Sequence, residues 1–273
     1  MGKLTPFIKW AGGKTQLLEQ ISTRMPKDYN RYFEPFLGGG AVLLSLQPFS
    51  AMVNDCNPLL VNTYTQIRDN VEEVIQAINA LDSVLCNKNY FLINRNRLNE
   101  KITQNVLDVE TASLFIWINK HCFNGLYRVN SKGMFNVPYN NKVTGKSIDE
   151  KNIRAIGEYL KNVRITCDDF EQACSSVSSG DFVYFDSPYI PISETANFVA
   201  YTKDGFSLAD HQRLAELFRY LDHLGAKAML SNNNTELIHE LYADYNIEII
   251  GVRRAINSVG NKRTSKEVLI TNY

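Results

Sequence analysis

The sequence predicts an α/β fold, in which a sheet has helices on both faces and an inserted, mainly helical segment interrupts the pattern. Strand-like and helix-like segments alternate in residues 1–57 and again in residues 151–273. A glycine-rich turn at residues 38–40 joins a strand to a helix. The stretch between, residues 58–150, instead has apolar residues at three- and four-residue spacing. Strands that alternate with helices are typical of a sheet covered on both faces.

The first part resembles half of a nucleotide-binding unit. After a helix that ends before Pro26, residues 31–36 form a predicted strand, 41–46 a helix and 51–55 a second strand ending on Asp55. Glycines between the first strand and the helix suit a close approach of a ligand to the backbone. A carboxylate at the end of the second strand can accept hydrogen bonds from ribose hydroxyls.

The middle part is predicted to be an insertion. Helical spacing covers residues 61–80 and 111–120, with polar sequence between them. Residues 123–139 contain Asn-Gly and Lys-Gly turns separated by alternating apolar and polar residues, a pattern that indicates a hairpin.

The α/β pattern then resumes. The strands and helices predicted there are strands 163–166, 182–185, 227–230, 247–252 and 267–271, and helices 153–160, 208–224 and 235–242. The last two strands have no clear helix between them, which permits an antiparallel end to the sheet. The predicted organisation is therefore an α/β domain in two parts, residues 1–57 and 151–273, and an inserted domain at residues 58–150.

Composition sets outer bounds on function. The chain has 273 residues, 44% of them hydrophobic, and a net charge of +0, so charge alone neither supports nor excludes a nucleic-acid partner. Its five cysteines lack the spacing of a zinc site or disulfide framework. With neither a signal-like leader nor a membrane-length apolar run, we expect a soluble cytoplasmic protein without a metal site.

One alternative reading is a nucleotide hydrolase. Residues 12–15, Gly-Gly-Lys-Thr, resemble the end of a phosphate-binding loop. The full pattern needs a glycine where Ile8 stands, and the segment precedes any clear strand. Both points make the hydrolase improbable.

The catalytic signal lies after the strand 182–185, where the chain reads Asp186-Ser187-Pro188-Tyr189. Together with FIKWAGGK (residues 7–14), FEPFLGGG (33–40) and FNGLYRVN with GMFNVPY (123–130 and 133–139), this segment resembles the Dam-type, D12 class adenine-N6 DNA methyltransferases of the alpha group. The resemblance runs from Phe7 to Tyr273. It implies a Rossmann-like seven-stranded sheet with an antiparallel hairpin at one edge.

The resemblance also implies the methyl donor S-adenosylmethionine and the residues that contact it. Asp169 would accept from the cofactor adenine amine and Phe170 would pack on its ring. The remaining cofactor contacts that it implies are Trp10, Lys14, Glu34, Phe36, Gly38 and Asp55.

The implied chemistry explains the catalytic motif. The exocyclic nitrogen of adenine is a poor nucleophile, because its lone pair is delocalised into the ring. Two acceptors on its two N–H bonds, the Asp186 carboxylate and the Ser187 carbonyl, would localise that pair, and the Tyr189 ring would stack on the base. Positioning supplies much of the rate. Because the atom is hidden in the duplex, the adenine must be flipped out.

The implied partner is double-stranded DNA containing GATC. Arg128 matches an arginine that reads a guanine edge, and Lys9 matches a lysine that contacts the first guanine. Phe123 and Asn124 match positions that intrude near the flipped base. Leu126 and Pro138 match positions that contact a thymine methyl group. A monomer is expected, since methylating a palindrome one strand at a time does not demand a dimer.

Ser187 departs from the family motif, which has proline there. Serine restores an N–H and loosens the backbone, so the sequence leaves open a catalytically impaired protein that binds GATC and cofactor. Methyl transfer to cytosine N4 or to a glutamine amide is a further alternative, which the predicted hairpin at residues 123–139 disfavours. The sequence also leaves open whether the enzyme belongs to a restriction-modification pair or acts alone. Residues 194–206 are predicted to form a loop that orders over substrate.

Overall fold

The computed structural model describes residues 2–142, 145–190, 206–253 and 264–273. Most of the predicted substrate loop, up to residue 205, therefore lies outside the described residues. The chain divides into two compact units. Unit 1 consists of Met1–Lys14, Leu37–Gln47 and Asn54–Asp168, and unit 2 of Thr15–Phe36, Pro48–Val53 and Asp169–Tyr273.

Seven strands form one mixed sheet in the order β3-β2-β1-β4-β5-β7-β6. The strands are β1 Tyr32–Glu34, β2 Ala51–Asn54, β3 Val163–Thr166, β4 Phe182–Phe185, β5 Lys227–Asn233, β6 Asn246–Arg253 and β7 Thr264–Thr271. Strand β1 pairs parallel with β2 and β4, and β4 pairs parallel with β5. Strand β7 runs antiparallel to both β5 and β6. This confirms the predicted Rossmann-like sheet with an antiparallel end.

The described helices are α1 Leu18–Arg24, α2 Ala41–Leu46, α3 Pro58–Asp69, α4 Val71–Asp82, α5 Lys88–Thr103, α6 Val109–His121, α7 Glu150–Leu160, α8 Phe170–Ala173, α9 Leu208–His223 and α10 Glu236–Leu241. Two 3-10 turns, Lys14–Gln16 and Phe123–Gly125, add to these. None of the helices in the described part of the chain has the length and apolar character needed to span a membrane.

Most predicted elements are confirmed within a few residues, but the middle part differs. The helix predicted over 61–80 is two helices, because Asn70 leaves the helical region at φ −137° and ψ 41°. The polar stretch before residue 111 holds a helix, α5, that composition did not reveal. Its N-cap Asn87 accepts a hydrogen bond from the Tyr90 N–H (3.0 Å), and Phe91 and Leu98 are fully buried. Only three positions of this helix are buried, Phe91, Asn94 and Leu98, and they were too few to stand out from its charged surface.

The predicted hairpin is present in outline. Its two arms meet through antiparallel bridges between Cys122 and Tyr139 and between Val129 and Phe135. The Phe123 N–H also donates to the Pro138 carbonyl at 2.8 Å. We call residues 122–139 the recognition hairpin.

Unit 2 carries the core of the sheet. Side chains of β4 and β5, including Phe185 and Leu230, pack with Leu214 and Phe218 of α9 and with Ile270 of β7. All five are fully buried. This packing fixes the carboxyl ends of β4 and β5, where the catalytic motif begins.

Candidate functional site

In unit 1, the glycine turn after β1 is joined to the end of β2. The Gly38 N–H donates to one Asp55 carboxylate oxygen and the Asn57 N–H donates to the other, both at 2.9 Å. Burial raises the pKa of the Asp55 carboxyl above its ordinary value, although both backbone bonds act to lower it. A carboxylate has about four acceptor sites. Asp55 therefore retains capacity for hydroxyl donors such as those of a ribose.

Gly38 also lies against the Trp10 side chain. Its φ is +50°, in the left-handed region, and a Cβ there would lie 2.9 Å from Trp10 Cδ1. Trp10 stacks on Tyr127 of the recognition hairpin, with ring centroids 5.2 Å apart and an interplanar angle of 22°. The glycine turn and the recognition hairpin of unit 1 thus both contact the Trp10 ring.

Lys14 lies in a 3-10 turn and is buried. Its Nζ donates to the Gly12 carbonyl at 2.7 Å. The expected contact between Lys14 and the cofactor stays a prediction.

In unit 2, the other expected cofactor residues form an aromatic group. The ring centroid of Phe36 lies 5.5 Å from that of Phe170, and Phe206 lies 5.8 Å from each. Asp169 precedes Phe170 and caps α8 by accepting from the Glu171 N–H at 3.0 Å. Its carboxylate is half exposed, so it is open to an incoming amine.

Arg213 of α9 holds this group from one side. It donates to Asp169 at 2.8 Å and its guanidinium lies 4.8 Å from the Phe170 ring centroid. Glu34, by contrast, is buried on β1 and accepts from the Tyr32 hydroxyl at 2.8 Å.

These residues fit the cofactor that the resemblance implies. Within unit 1, a carboxylate at the end of a strand is suited to a ribose. Within unit 2, taken by itself, an aromatic surface lies beside an exposed carboxylate that is suited to an adenine and its amine.

The catalytic motif follows β4 directly. The Asp186 carboxylate accepts from the Ser231 hydroxyl at 3.3 Å. Ser187 is buried whereas Pro188 is exposed. The Tyr189 hydroxyl donates to Glu267 at 2.7 Å. Burial, with the charges of Asp186 and Glu267, raises the pKa of Tyr189 far above its ordinary value, so its hydroxyl stays neutral and donates.

The recognition hairpin exposes the side chains expected to meet DNA. Phe123 and Leu126 are 51% and 40% exposed despite being apolar. Asn124 has a left-handed φ of +56°, and Pro138 is exposed. Large apolar side chains in contact with water at a hairpin are typical of an interaction surface.

Arg128 is exposed and is oriented by its neighbour across the hairpin. Its Nε donates to the Asn136 side-chain oxygen at 2.7 Å. That bond leaves donor capacity on both terminal nitrogens of the guanidinium group, although one of them also lies 3.5 Å from the Asn136 carbonyl.

Lys9 is attached to the same hairpin through a buried amide. The Lys9 N–H donates to the Asn119 side-chain oxygen, and the Asn119 amide donates back to the Lys9 carbonyl, both at 2.9 Å. The same amide group also donates to the Gly125 carbonyl at 3.0 Å. Sequence reasoning missed Asn119, because its partners are up to 110 residues away; it also missed Asn136 and Arg213.

Comparison with known proteins finds a matching family and several relatives. The sequence model of one protein family, the D12 class N6 adenine-specific DNA methyltransferases, matches residues 10–256. The chain is 43% identical to Type II methyltransferase M1.LlaDCHI of Lactococcus lactis subsp. cremoris, over 99% of this chain and 96% of that protein. It is 41% identical to Type II methyltransferase M.MjaIII of Methanocaldococcus jannaschii (99% and 100%) and 30% identical to the DNA adenine methylase of Escherichia coli K12 (100% and 96%).

A match over most of the chain, in a protein whose sheet has the expected order, establishes the relationship. This chain belongs to the D12 class N6 adenine-specific DNA methyltransferases and uses S-adenosylmethionine as its methyl donor.

Proposed function

We propose that this enzyme methylates N6 of the adenine in GATC within double-stranded DNA, after the adenine has been flipped out of the helix. Arg128 carries the specificity argument. It is exposed on the recognition hairpin and Asn136 fixes its Nε. A guanidinium whose two terminal nitrogens retain donor capacity suits the O6 and N7 acceptors of guanine.

Further hairpin side chains support the same proposal. Leu126 and Pro138 offer apolar surface suited to a thymine methyl group. Lys9, whose backbone is fixed by Asn119, supplies a cation for the first guanine. We propose residues 58–150 as the recognition domain that presents this surface.

Base flipping is proposed because the reacting atom is inaccessible in a stacked duplex. The exposed Phe123 and the left-handed Asn124 lie at the base of the recognition hairpin, where an intruding side chain could fill the position that the base leaves. Loss of Phe123 should therefore make flipping less favourable without removing the catalytic carboxylate.

For the chemical step, we propose that Asp186 and the Ser187 carbonyl accept the two N–H bonds of the target amine, while Tyr189 stacks on its ring. S-adenosylmethionine, when bound, supplies an electrophilic sulfonium methyl group. Asp186 is oriented by Ser231, so its acceptor lone pairs are fixed before substrate arrives. Positioning of this kind contributes much of the rate in a transfer between two bound groups.

We propose that Asp55, Asp169, Phe170 and Phe36 hold the donor, with Trp10, Lys14, Glu34 and Gly38 shaping its site. We also propose a monomer that acts on cytoplasmic DNA. Sedimentation of the enzyme with a duplex that holds one GATC site measures how many enzyme molecules bind it.

The specificity test uses labelled S-adenosylmethionine and two duplexes of equal composition, one with GATC and one with the adenine moved out of context. We expect transfer to GATC alone. Arg128→Ala should lose discrimination at guanine, whereas Lys132→Ala, at the hairpin turn, should weaken all duplexes alike if it contacts phosphate. Equal transfer to both duplexes by the unaltered enzyme would refute the GATC assignment.

Flipping is tested separately with 2-aminopurine in place of the target adenine. Fluorescence should rise on binding, because the base leaves the stack, and Phe123→Ala should reduce that rise. An unchanged signal in a tightly bound complex would contradict flipping.

A further inference from the structure

The end of β5 carries three consecutive polar residues, Ser231, Asn232 and Asn233. All are buried, with 0%, 0% and 6% of their surface exposed. Buried polar side chains are costly unless they are hydrogen-bonded. Each of these three donates or accepts a bond in the segment that follows β4.

Asn232 and Asn233 together hold the peptide groups of Ile190, the residue after the catalytic motif. The Ile190 N–H donates to the Asn232 side-chain oxygen at 3.1 Å. The Asn233 side-chain amide donates to the Ile190 carbonyl at 2.7 Å. Both bonds are buried and lie outside the strand ladder. The N–H and the carbonyl of Ile190 are therefore each hydrogen-bonded to a side chain of β5. The backbone after Tyr189 is therefore fixed at both polar groups.

The remaining contacts cover the motif itself. Ser231 donates to Asp186 at 3.3 Å and the Asn232 amide lies 3.4 Å from the Ser187 hydroxyl oxygen. Glu267 on β7 accepts from the Tyr189 hydroxyl at 2.7 Å. Glu267 pairs directly with Asn233 in the antiparallel register of β5 and β7.

We propose that Ser231, Asn232, Asn233 and Glu267 form a positioning set that fixes the catalytic segment in place of the rigidity a proline at position 187 would give. A proline ring restricts its own φ. In this chain the restraint comes instead from bonds on either side of Ser187 and Tyr189. The inference rests on the proposed catalytic role of residues 186–189.

Each bond has a definite consequence for reactivity. The Ile190 bonds determine where the chain leaves Tyr189, and hence where the aromatic face lies. The Glu267 bond determines the tilt of that ring. The orientation of the Ser187 carbonyl depends on both, because it precedes them by two and three residues. A displacement on the order of 1 Å at a reacting group can cost about 100-fold in rate.

The test measures single-turnover methyl transfer at saturating donor and GATC duplex, with both dissociation constants and the melting temperature. We expect Asn233→Ala and Glu267→Ala to lower the rate by about 10- to 100-fold with both affinities preserved. Glu267→Gln keeps an acceptor for the Tyr189 hydroxyl and should stay within about threefold of the unaltered rate. Tyr189→Phe combined with Glu267→Ala should be no slower than the slower single variant, since both remove one bond.

Asn272→Ala is the matched control. The Asn272 side chain also holds the backbone around β5, because its oxygen accepts from the Ala228 N–H at 2.7 Å and its amide donates to the Ala226 carbonyl at 2.9 Å. These bonds lie at the start of the strand, away from the motif. Asn272→Ala should lower the melting temperature and leave the rate unchanged. A general loss of stability would therefore not reproduce the effect expected at Asn233.

The outcomes are distinguishable. If Asn233→Ala transfers methyl groups as fast as Asn272→Ala, and Glu267→Gln and Glu267→Ala do not differ, the positioning set is refuted. If Asn233→Ala does not fold, the Glu267 pair and Tyr189→Phe decide alone. If Asp186→Ala retains the unaltered rate, the proposed catalytic segment itself is wrong, whatever the other variants do.

Discussion

Replacing Gly38 by alanine tests whether the glycine turn and Trp10 form one cofactor-binding feature. The new Cβ would lie 2.9 Å from Trp10 Cδ1 and 3.3 Å from its Nε1. Trp10 cannot easily retreat, because it stacks on Tyr127 and meets Phe115 edge-on at 6.5 Å. We therefore expect both a loss of stability and a weaker cofactor site.

The magnitude follows from two contributions. A left-handed φ costs an alanine about 1–2 kcal/mol, and overpacking a restrained side chain costs about 1–3 kcal/mol more. Gly133 provides the matched control: its φ is +74° and a Cβ there meets nothing within 4 Å. Gly133→Ala carries only the first contribution. Gly38→Ala should thus be the less stable variant by about 1–3 kcal/mol.

Urea unfolding measures the stability difference through the two midpoints, and calorimetry measures the affinity for S-adenosylmethionine. We expect Gly38→Ala to bind the cofactor more weakly and Gly133→Ala to bind it normally. Equal loss of stability in the two variants, with equal cofactor affinity, would refute the contact between Gly38 and Trp10 as a determinant of the site.

Three further predictions concern unit 2. Arg213→Ala should weaken cofactor binding by calorimetry, because Asp169 loses its 2.8 Å partner; an unchanged affinity would show that Asp169 needs no orientation. Ser187→Pro should change kcat and leave cofactor affinity intact; an unchanged kcat would mean that the residue type at position 187 is immaterial. Burial opposes ionisation of Asp181, but bonds from Arg31 and neighbouring groups outweigh it and lower the pKa of that carboxyl. Because the pKa of Asp181 is lower in the folded state, its ionised form stabilises the fold at pH values above the pKa of an aspartate in the unfolded chain, about 3.9. This stabilisation is lost as the pH falls through the folded-state pKa. The stability advantage over Asp181→Asn should therefore shrink below about pH 4, and a pH-independent difference would contradict this assignment.

Much of the fold was predictable because its strands are short apolar runs and its turns are glycine-rich. The strands Val163–Thr166 and Phe182–Phe185 and the helix Ala41–Leu46 have the predicted bounds. Helix α5 was missed because its buried positions, Phe91, Asn94 and Leu98, are few and include an amide. A local pattern cannot identify a helix whose stability comes mainly from tertiary packing.

The motifs of the site could be predicted from the sequence, but the residues that hydrogen-bond to them could not. The motif residues are consecutive, so the sequence displays them. Their partners are distant: Ser231 lies 45 residues from Asp186, and Glu267 lies 78 residues from Tyr189. Register between β5 and β7 brings them to one place, and a single sequence does not reveal that register. From the sequence alone Ser187 leaves the backbone loose, whereas the structure has hydrogen bonds to Ser187 itself and to Ile190.

The most direct test of the central claim is single-turnover transfer from labelled S-adenosylmethionine to a GATC duplex, with the product nucleoside identified, for the unaltered enzyme and Asp186→Ala. Calorimetry on the same samples measures cofactor and DNA binding. We expect N6-methyladenine from the unaltered enzyme and no product from a variant that still binds both partners. A methylated base other than adenine, or an unaltered rate in Asp186→Ala, would contradict the account.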